Sequence, residues 1–460
     1  MNLVLDYTNL LKNENMPDGI SLCHLESAKT LLQDTFKMFN EKKDKEPLGF
    51  YDLPDYDTAK ITDYITKINS REKPFEALVV LGIGGSALGN KAVYSALKHQ
   101  KSLKKLFVYD NVDPYLWQDI LDEINIDTTL FNVITKSGTT AETMSSFMYI
   151  INFLKNTFPD DYKERLVITT DKEKGFLRKV INDEGFQSFI VPDDVGGRFS
   201  VLTDVGLLSS AFVGIDVNAM LNGAKKMRAL CDEKDIFKNP AMIIAATHVK
   251  YMSQGKNISV MMPYSNALYD IADWYRQLWA ESLGKKFNLN GEEVCVGQTP
   301  VKALGATDQH SQVQLYVEGP KDKVFTFLMV ENYTKDFVIP EVYTDREEVN
   351  YLCKSTFSKL LNSECIATEL ALTEAGCPNM MIKFKNLNEE SIGAFIYLYE
   401  AATVYAGYML NINPLDQPGV EAGKIATYAL MNKKGFEQTA IKINNYIENK
   451  EKQGKILCLN

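Results

Sequence analysis

Between residues 77 and 191, five short apolar runs alternate with amphipathic ones, and this alternation constrains the chain more than any other feature. The runs at 77–81, 106–110, 131–135, 166–170 and 189–191 read as strands. The stretches at 88–98, 114–124, 141–158 and 173–183 read as helices. Asp113 before Pro114 marks one helix start, an N-cap acceptor ahead of a proline at the first helical position. Strands and helices alternating at this spacing predict βαβ units on a parallel sheet, with ligands at the carboxyl ends of the strands.

A second region of the same texture follows. Strands are predicted at 257–262, 312–317, 324–330 and 380–384, and helices at 267–283, 361–375 and 389–411. Residues 1–76 read as helical, with Leu22, Leu25, Ala28, Leu31, Leu32 and Phe36 at helical spacing and a charged break at 42–47. No linker rich in glycine, serine or proline separates the halves, so two packed α/β halves sharing a cleft are expected rather than beads on a string. The expected organisation is a helical segment at 1–60, α/β domains at 61–216 and 217–430, and a helical tail at 431–460.

Charge narrows the partners. A formal charge of −10 leaves no basic excess for nucleic acid. The apolar stretch at 392–412 contains Glu400 and four tyrosines, which fits a buried core helix better than a membrane span. The opening residues lack a basic region followed by an apolar run, which points away from an export signal. Seven cysteines (Cys23, Cys231, Cys295, Cys353, Cys365, Cys377, Cys458) are scattered without a CxxC pair, as in a reduced, cytoplasmic protein.

Three strand-end loops carry the chemistry. In the first, Gly82, Ile83, Gly84, Gly85 and Ser86 lead from a strand into a helix start, whose free backbone N–H groups favour an anion. Missing side chains at Gly82, Gly84 and Gly85 would let a ligand approach the backbone. In the second, Thr135, Lys136, Ser137, Gly138, Thr139 and Thr140 supply four hydroxyls and a cation. A helix cap at Thr140 needs only one hydroxyl, whereas a phosphate monoester accepts several donors at once. The third, Val195–Gly196–Gly197–Arg198, brings a guanidinium to the same sheet edge, where it could stabilise developing negative charge.

Further along, Glu281 stands in the last turn of the 267–283 helix, at the rim of an apolar arc of Leu268, Ile271, Tyr275, Leu278 and Trp279. Apolar neighbours and a helix C-terminus both disfavour a charged carboxylate, and a carboxylate tuned that way can act as a general base near neutral pH. Taken alone, a glutamate in this position is more often just a solvated helix-end residue. His24, His99 and His248 lie in helical patterns, while His310 lies in the polar loop Gly305–Ser311, a placement suited to a working imidazole. Lys424 opens a helix after Asp416, Gln417, Pro418 and Gly419, and would face inward if that helix packs on the core.

Together LGIGGSALG, TKSGTTAET, VGGRFSVLTDVGLL, WAESLGK, GATDQHSQVQLYVEGP and DQPGVEAGK resemble the glucose-6-phosphate isomerase family of the shorter bacterial type, from about Leu78 to Lys424. The resemblance implies two doubly wound parallel-sheet SIS (sugar isomerase) domains, a homodimer or larger assembly, no cofactor and no metal. It implies isomerisation of glucose 6-phosphate to fructose 6-phosphate. In it, Glu281 matches the base that moves a proton between C1 and C2 of the open-chain sugar. His310, typically lent by the neighbouring subunit, and Lys424 match residues that assist ring opening, and Arg198 the residue beside the enediolate. Gly85, Ser86, Thr135, Lys136, Ser137, Thr140 and Gln417 match substrate and phosphate contacts. The loop reads KSGTT where longer members differ, which leaves the division of phosphate contacts among its hydroxyls open. Two rivals remain. Gly82, Gly84 and Ala87 fit a G-x-G-x-x-(G/A) dinucleotide turn with Asp110 as a ribose acid, and a non-catalytic sugar-phosphate sensor on SIS domains would keep the hydroxyl loop.

Overall fold

The chain begins with a strand where a helix is expected. In the computed structural model, which describes residues 2–45, 48–99 and 103–455, β1 (Leu3–Asp6) pairs antiparallel with a strand near the far end of the sequence, Leu3 opposite Phe384. Four residues with a distant partner leave no local periodicity to read, and the helices Lys29–Lys45 and Ala59–Asn69 that follow dominate the pattern. The expected break at 42–47 lies partly outside the described residues, and Cys458 wholly so.

The molecule divides into two units, Met1–Pro414 and Leu415–Asn460. The larger holds two five-stranded sheets. The first comprises β2 (Ala77–Leu81), β3 (Lys105–Tyr109), β4 (Thr129–Thr135), β5 (Leu166–Thr170) and β6 (Gln187–Ile190), all parallel in the order β3-β2-β4-β5-β6. β2, β4 and β5 are buried at every residue, which is why they read as continuous apolar runs rather than alternating ones. The crossover helices Leu88–Leu97, Pro114–Glu123, Ala141–Thr157 and Phe176–Glu184 stand close to their expected positions. Asp113 caps the second of these, its carboxylate accepting from the N–H of Tyr115 at 2.9 Å. The order reverses between β2 and β4, the crevice where open α/β sheets bind ligands. The loops after those two strands are the glycine and hydroxyl loops.

The second sheet is built from β7 (Ile258–Pro263), β10 (Thr299–Lys302), β11 (Lys323–Asn332) and β12 (Asn379–Asn386), with the hairpin β8 (Lys285–Phe287) and β9 (Glu293–Val296) standing apart. Its order is β1-β12-β11-β7-β10, parallel except for β1 on the edge. Residues 312–317, expected as a strand, are instead mostly the short helix Val313–Glu318. The Tyr316 hydroxyl donates one turn back to Gln312 Oε1 at 2.6 Å, and its ring packs edge-on against Phe325 at 5.0 Å, so one buried face per turn satisfies the core. β10 takes the edge position in its place.

Helix Glu389–Met409 is buried from Ser391 to Met409 beneath both sheets' helices, with Gly393 allowing its backbone against the Met220 carbonyl of helix Val217–Cys231. Among the described residues no helix is long and apolar enough to cross a membrane. Helix Tyr269–Leu283 carries the expected apolar arc, with Leu268, Ile271, Tyr275, Leu278 and Trp279 all buried. The smaller unit contains helices Glu421–Leu430 and Glu437–Lys452, and Tyr428 of the first meets Phe436 in the turn between them at 5.6 Å.

Candidate active site

At the end of β2 the chain turns through a short 3-10 segment, Gly84–Ser86, into helix Leu88–Leu97. A methyl group on Gly85 would fall 2.2 Å from the Gly197 carbonyl and 2.8 Å from the Arg198 nitrogen. One on Gly82 would meet Ser86 Cβ at 2.8 Å. At these two glycines protein fills the space a side chain would take, so the missing Cβ serves the packing of the loops. Gly85 lets the first and third loops touch. Gly84, at φ +58°, turns toward the Gln277 amide, 3.0 Å from where its Cβ would lie.

The second loop gathers its hydroxyls. Thr135 Oγ1 lies 3.0 Å from Thr140 Oγ1 and 3.4 Å from Ser137 Oγ, and Ser137 Oγ lies 3.2 Å from Thr140 Oγ1. Thr140 occupies the N-cap of helix Ala141–Thr157 in extended conformation, yet its side chain caps no backbone N–H. Hydroxyls that bond one another rather than the helix can be exchanged for the oxygens of a phosphate. Behind them the Thr143 hydroxyl is buried without a hydrogen-bond partner.

Lys136 departs from expectation. Its ammonium turns onto the third loop, donating to the Asp193 carbonyl at 2.7 Å and the Val195 carbonyl at 3.1 Å. It staples two strand-end loops together. The third loop is also tied to the loop after β5, by a carboxyl pair of Asp193 and Asp171. The hydrogen bond and charge of Asp171 raise Asp193 above the usual carboxylate range. Burial would raise Asp171 too, but the N–H groups of Glu173 and Lys174 and the bond from Asp193 outweigh it and hold Asp171 low.

Arg198 and Glu281 come together. The Arg198 side chain is 1% exposed and its Nη1 stands 3.4 Å from Glu281 Oε2. Its Nε donates to the Ser282 hydroxyl at 2.7 Å and its Nη2 to the Pro414 carbonyl at 2.6 Å. Gln277, one turn earlier on the helix, donates to the other carboxylate oxygen, Oε1, at 3.1 Å. The Lys285 ammonium closes the helix end by donating to the carbonyls of Glu281 at 2.6 Å and Ser282 at 3.0 Å, a favourable place for a cation. Glu281 therefore faces a guanidinium and an amide where sequence reasoning set it against apolar neighbours alone. Gln277, Ser282 and Pro414 were missed. Helical spacing could have suggested Gln277, but nothing local marks Pro414.

His310 is exposed at the end of the 3-10 turn Thr307–His310. That turn is held by Asp308, which accepts from Leu304 N and Ser311 Oγ, both at 2.6 Å. Lys424 and Gln417 belong to the smaller unit. Within that unit the Lys424 ammonium, in helix Glu421–Leu430, pairs with Glu421 at 2.8 Å. Gln417 is exposed just before the Pro418–Val420 turn. His248 is a core histidine, its ring bonded to the Ile244 carbonyl at 2.9 Å and its pKa pushed down to about 4 by burial.

The dinucleotide reading loses its acid, because Asp110 is paired with Lys91 at 2.5 Å, and the strand order is not the one that reading requires. Among the described residues no three His, Cys, Asp or Glu side chains converge to hold a metal ion.

The family model described as phosphoglucose isomerase matches residues 57–446. A glucose-6-phosphate isomerase of Carboxydothermus hydrogenoformans is 43% identical over 95% of this chain and 96% of its own. That of Rubrobacter xylanophilus is 42% identical over 94% of this chain and 99% of its own. Among solved structures, a hypothetical protein from Thermus thermophilus superposes with a TM-score of 0.83 at 34% identity, covering 93% of this chain and 99% of that one. A glucose-6-phosphate isomerase from Chlamydia trachomatis shares the fold at a TM-score of 0.79 and 22% identity, over 96% of this chain and 93% of that one.

Proposed function

The chain belongs to the phosphoglucose isomerase family, and from that premise we propose that its interconversion of glucose 6-phosphate and fructose 6-phosphate runs on Glu281 and Arg198. Glu281 takes the C2 proton of the open-chain aldose and returns it to C1. As the proton leaves, negative charge grows on the enediolate oxygens, and the Arg198 guanidinium stabilises it. A positioned base contributes about 10²–10⁴ in rate, and a preorganised charge partner a similar factor. The observation that carries this reading is the buried guanidinium held 3.4 Å from a partly exposed carboxylate.

The hydroxyls of Thr135, Ser137 and Thr140, with Ser86 and the backbone at Gly85, hold the phosphate and the sugar, fixing the reacting carbons against the base. Their mutual hydrogen bonds of 3.0–3.4 Å, unspent on helix capping, support this role. Lys136 acts through the loop it staples. His310 and Lys424 open the sugar ring and Gln417 lines the pocket, by the motif match. The exposure of His310 suits an imidazole offered to a second copy, so the working form is a homodimer or larger. The scattered free cysteines suit the reducing cytoplasm.

The test is a coupled assay that oxidises glucose 6-phosphate as it forms from fructose 6-phosphate. Wild-type enzyme turns over in both directions and Glu281→Gln loses at least about a hundredfold in kcat. A wild-type protein inert toward both sugar phosphates would refute the reading.

A further inference from the structure

Two neutral anchors, Ser282 and Pro414, stand closer to the Arg198 guanidinium than Glu281 does. The bonds to Ser282 Oγ (2.7 Å) and Pro414 O (2.6 Å) are short, whereas the contact with Glu281 Oε2 is 3.4 Å. An unconstrained guanidinium and carboxylate close to about 2.7–2.9 Å, often through two parallel bonds. Something keeps this pair from closing. Both anchors are rigid. Ser282 is fully buried in the last turn of its helix, which Lys285 locks through two carbonyls. Pro414 sits against Gly407 of the long core helix, where a methyl group on Gly407 would lie 2.6 Å from Pro414 Cβ. On the arginine's own side, its backbone is pinned by the contact between Gly85 and Gly197.

We propose that Ser282 and the Pro414 carbonyl are positioning groups that hold Arg198 short of a closed ion pair with Glu281, keeping the guanidinium where enediolate charge develops and the carboxylate open to the substrate. The proposal rests on the reading of Glu281 as the base. A closed pair would stabilise the carboxylate, weaken it as a base and draw the cation from the position where enediolate charge develops. The groups set against the carboxylate are Arg198 from the third loop and Gln277 from its own helix, with the Lys285 ammonium behind it on the Glu281 carbonyl. On elements packed against that helix, Lys91 is taken by Asp110 and Lys302 by Asp273. Glu400 is buried, and its carboxyl is raised well above the usual range by desolvation.

The experiment measures kcat against pH for Ser282→Ala, Ser282→Thr and Gly407→Ala beside wild type, with thermal melts to establish folding. Ser282→Ala is expected to lower kcat roughly tenfold, leave KM within about twofold and move the acid limb to lower pH by about half a unit or more. Gly407→Ala shifts Pro414 without touching Arg198, Ser282 or Glu281, and moves the limb the same way. Ser282→Thr keeps the hydroxyl and restores the wild-type limb, even at a lower melting temperature. If the limb stays in place in both Ser282→Ala and Gly407→Ala, the proposal is overturned, whatever happens to kcat, since packing damage alone lowers activity without moving a titration. Glu281→Gln in parallel separates the two failures: its inactivity beside an unmoved limb sinks the anchors only, whereas its full activity sinks the base itself.

Discussion

Thr140 and Glu400 show how much the neighbours of a residue decide its work. Thr140 stands where a helix cap belongs but spends its hydroxyl on Thr135 and Ser137. Thr140→Val keeps the β-branched shape and removes only that hydroxyl. It is expected to raise KM for sugar phosphate by about tenfold or more with little change in melting temperature, as steady-state kinetics and a thermal melt would reveal. Glu400 is an acid with no visible duty. It is fully buried, neither oxygen has a hydrogen-bond partner, and desolvation raises its pKa well above the usual value. The folded state therefore keeps a proton that the unfolded chain releases above about pH 4.5, and stability falls as pH rises from there, by up to about 1.4 kcal/mol per unit. Glu400→Gln removes that slope. Denaturant melts from pH 5 to pH 8 should show the variant gaining on wild type as pH rises, whatever its fixed offset. Lys136 marks the limit of reading at this scale: its type and loop were legible, but its carbonyl partners lie 57 and 59 residues along the chain.

Among elements, legibility followed burial. β2 and β5 coincide residue for residue with the runs seen in the sequence, because both faces are buried and polar residues end them sharply. Strands of three or four residues with polar content, such as Lys285–Phe287 and Thr299–Lys302, carry no periodicity long enough to detect. The segment at 312–317 alternates polar and apolar residues, which fits a strand as well as two turns of helix, and only the packing of Tyr316 decides between them. The glycine loop was legible as a loop but not in its purpose, since Gly197 comes far later in the chain. Gly85→Ala drives a methyl group into the Gly197 carbonyl and is expected to destabilise by at least about 1–3 kcal/mol, with loss of activity as the first and third loops separate. Unfolding in denaturant would measure the first effect, and the coupled assay the second.

At the scale of the whole molecule, the two sheets and the family motifs were legible across most of the chain, whereas the division after Pro414 was not, because no change of composition marks it. If His310 serves a neighbouring subunit, two inactive variants should rescue each other. Mixed and reassociated Glu281→Gln and His310→Ala subunits form hybrids with one intact site, giving roughly a quarter of wild-type activity. Histidine acting within its own subunit gives no recovery.

The central claim, proton transfer by Glu281 through an enediolate held beside Arg198, is tested most directly by isomerisation in deuterium oxide. The account predicts deuterium at C2 of glucose 6-phosphate and C1 of fructose 6-phosphate in the wild-type reaction, with neither exchange nor turnover in Glu281→Gln. Turnover without any label, or exchange at the wild-type rate in Glu281→Gln, would contradict it.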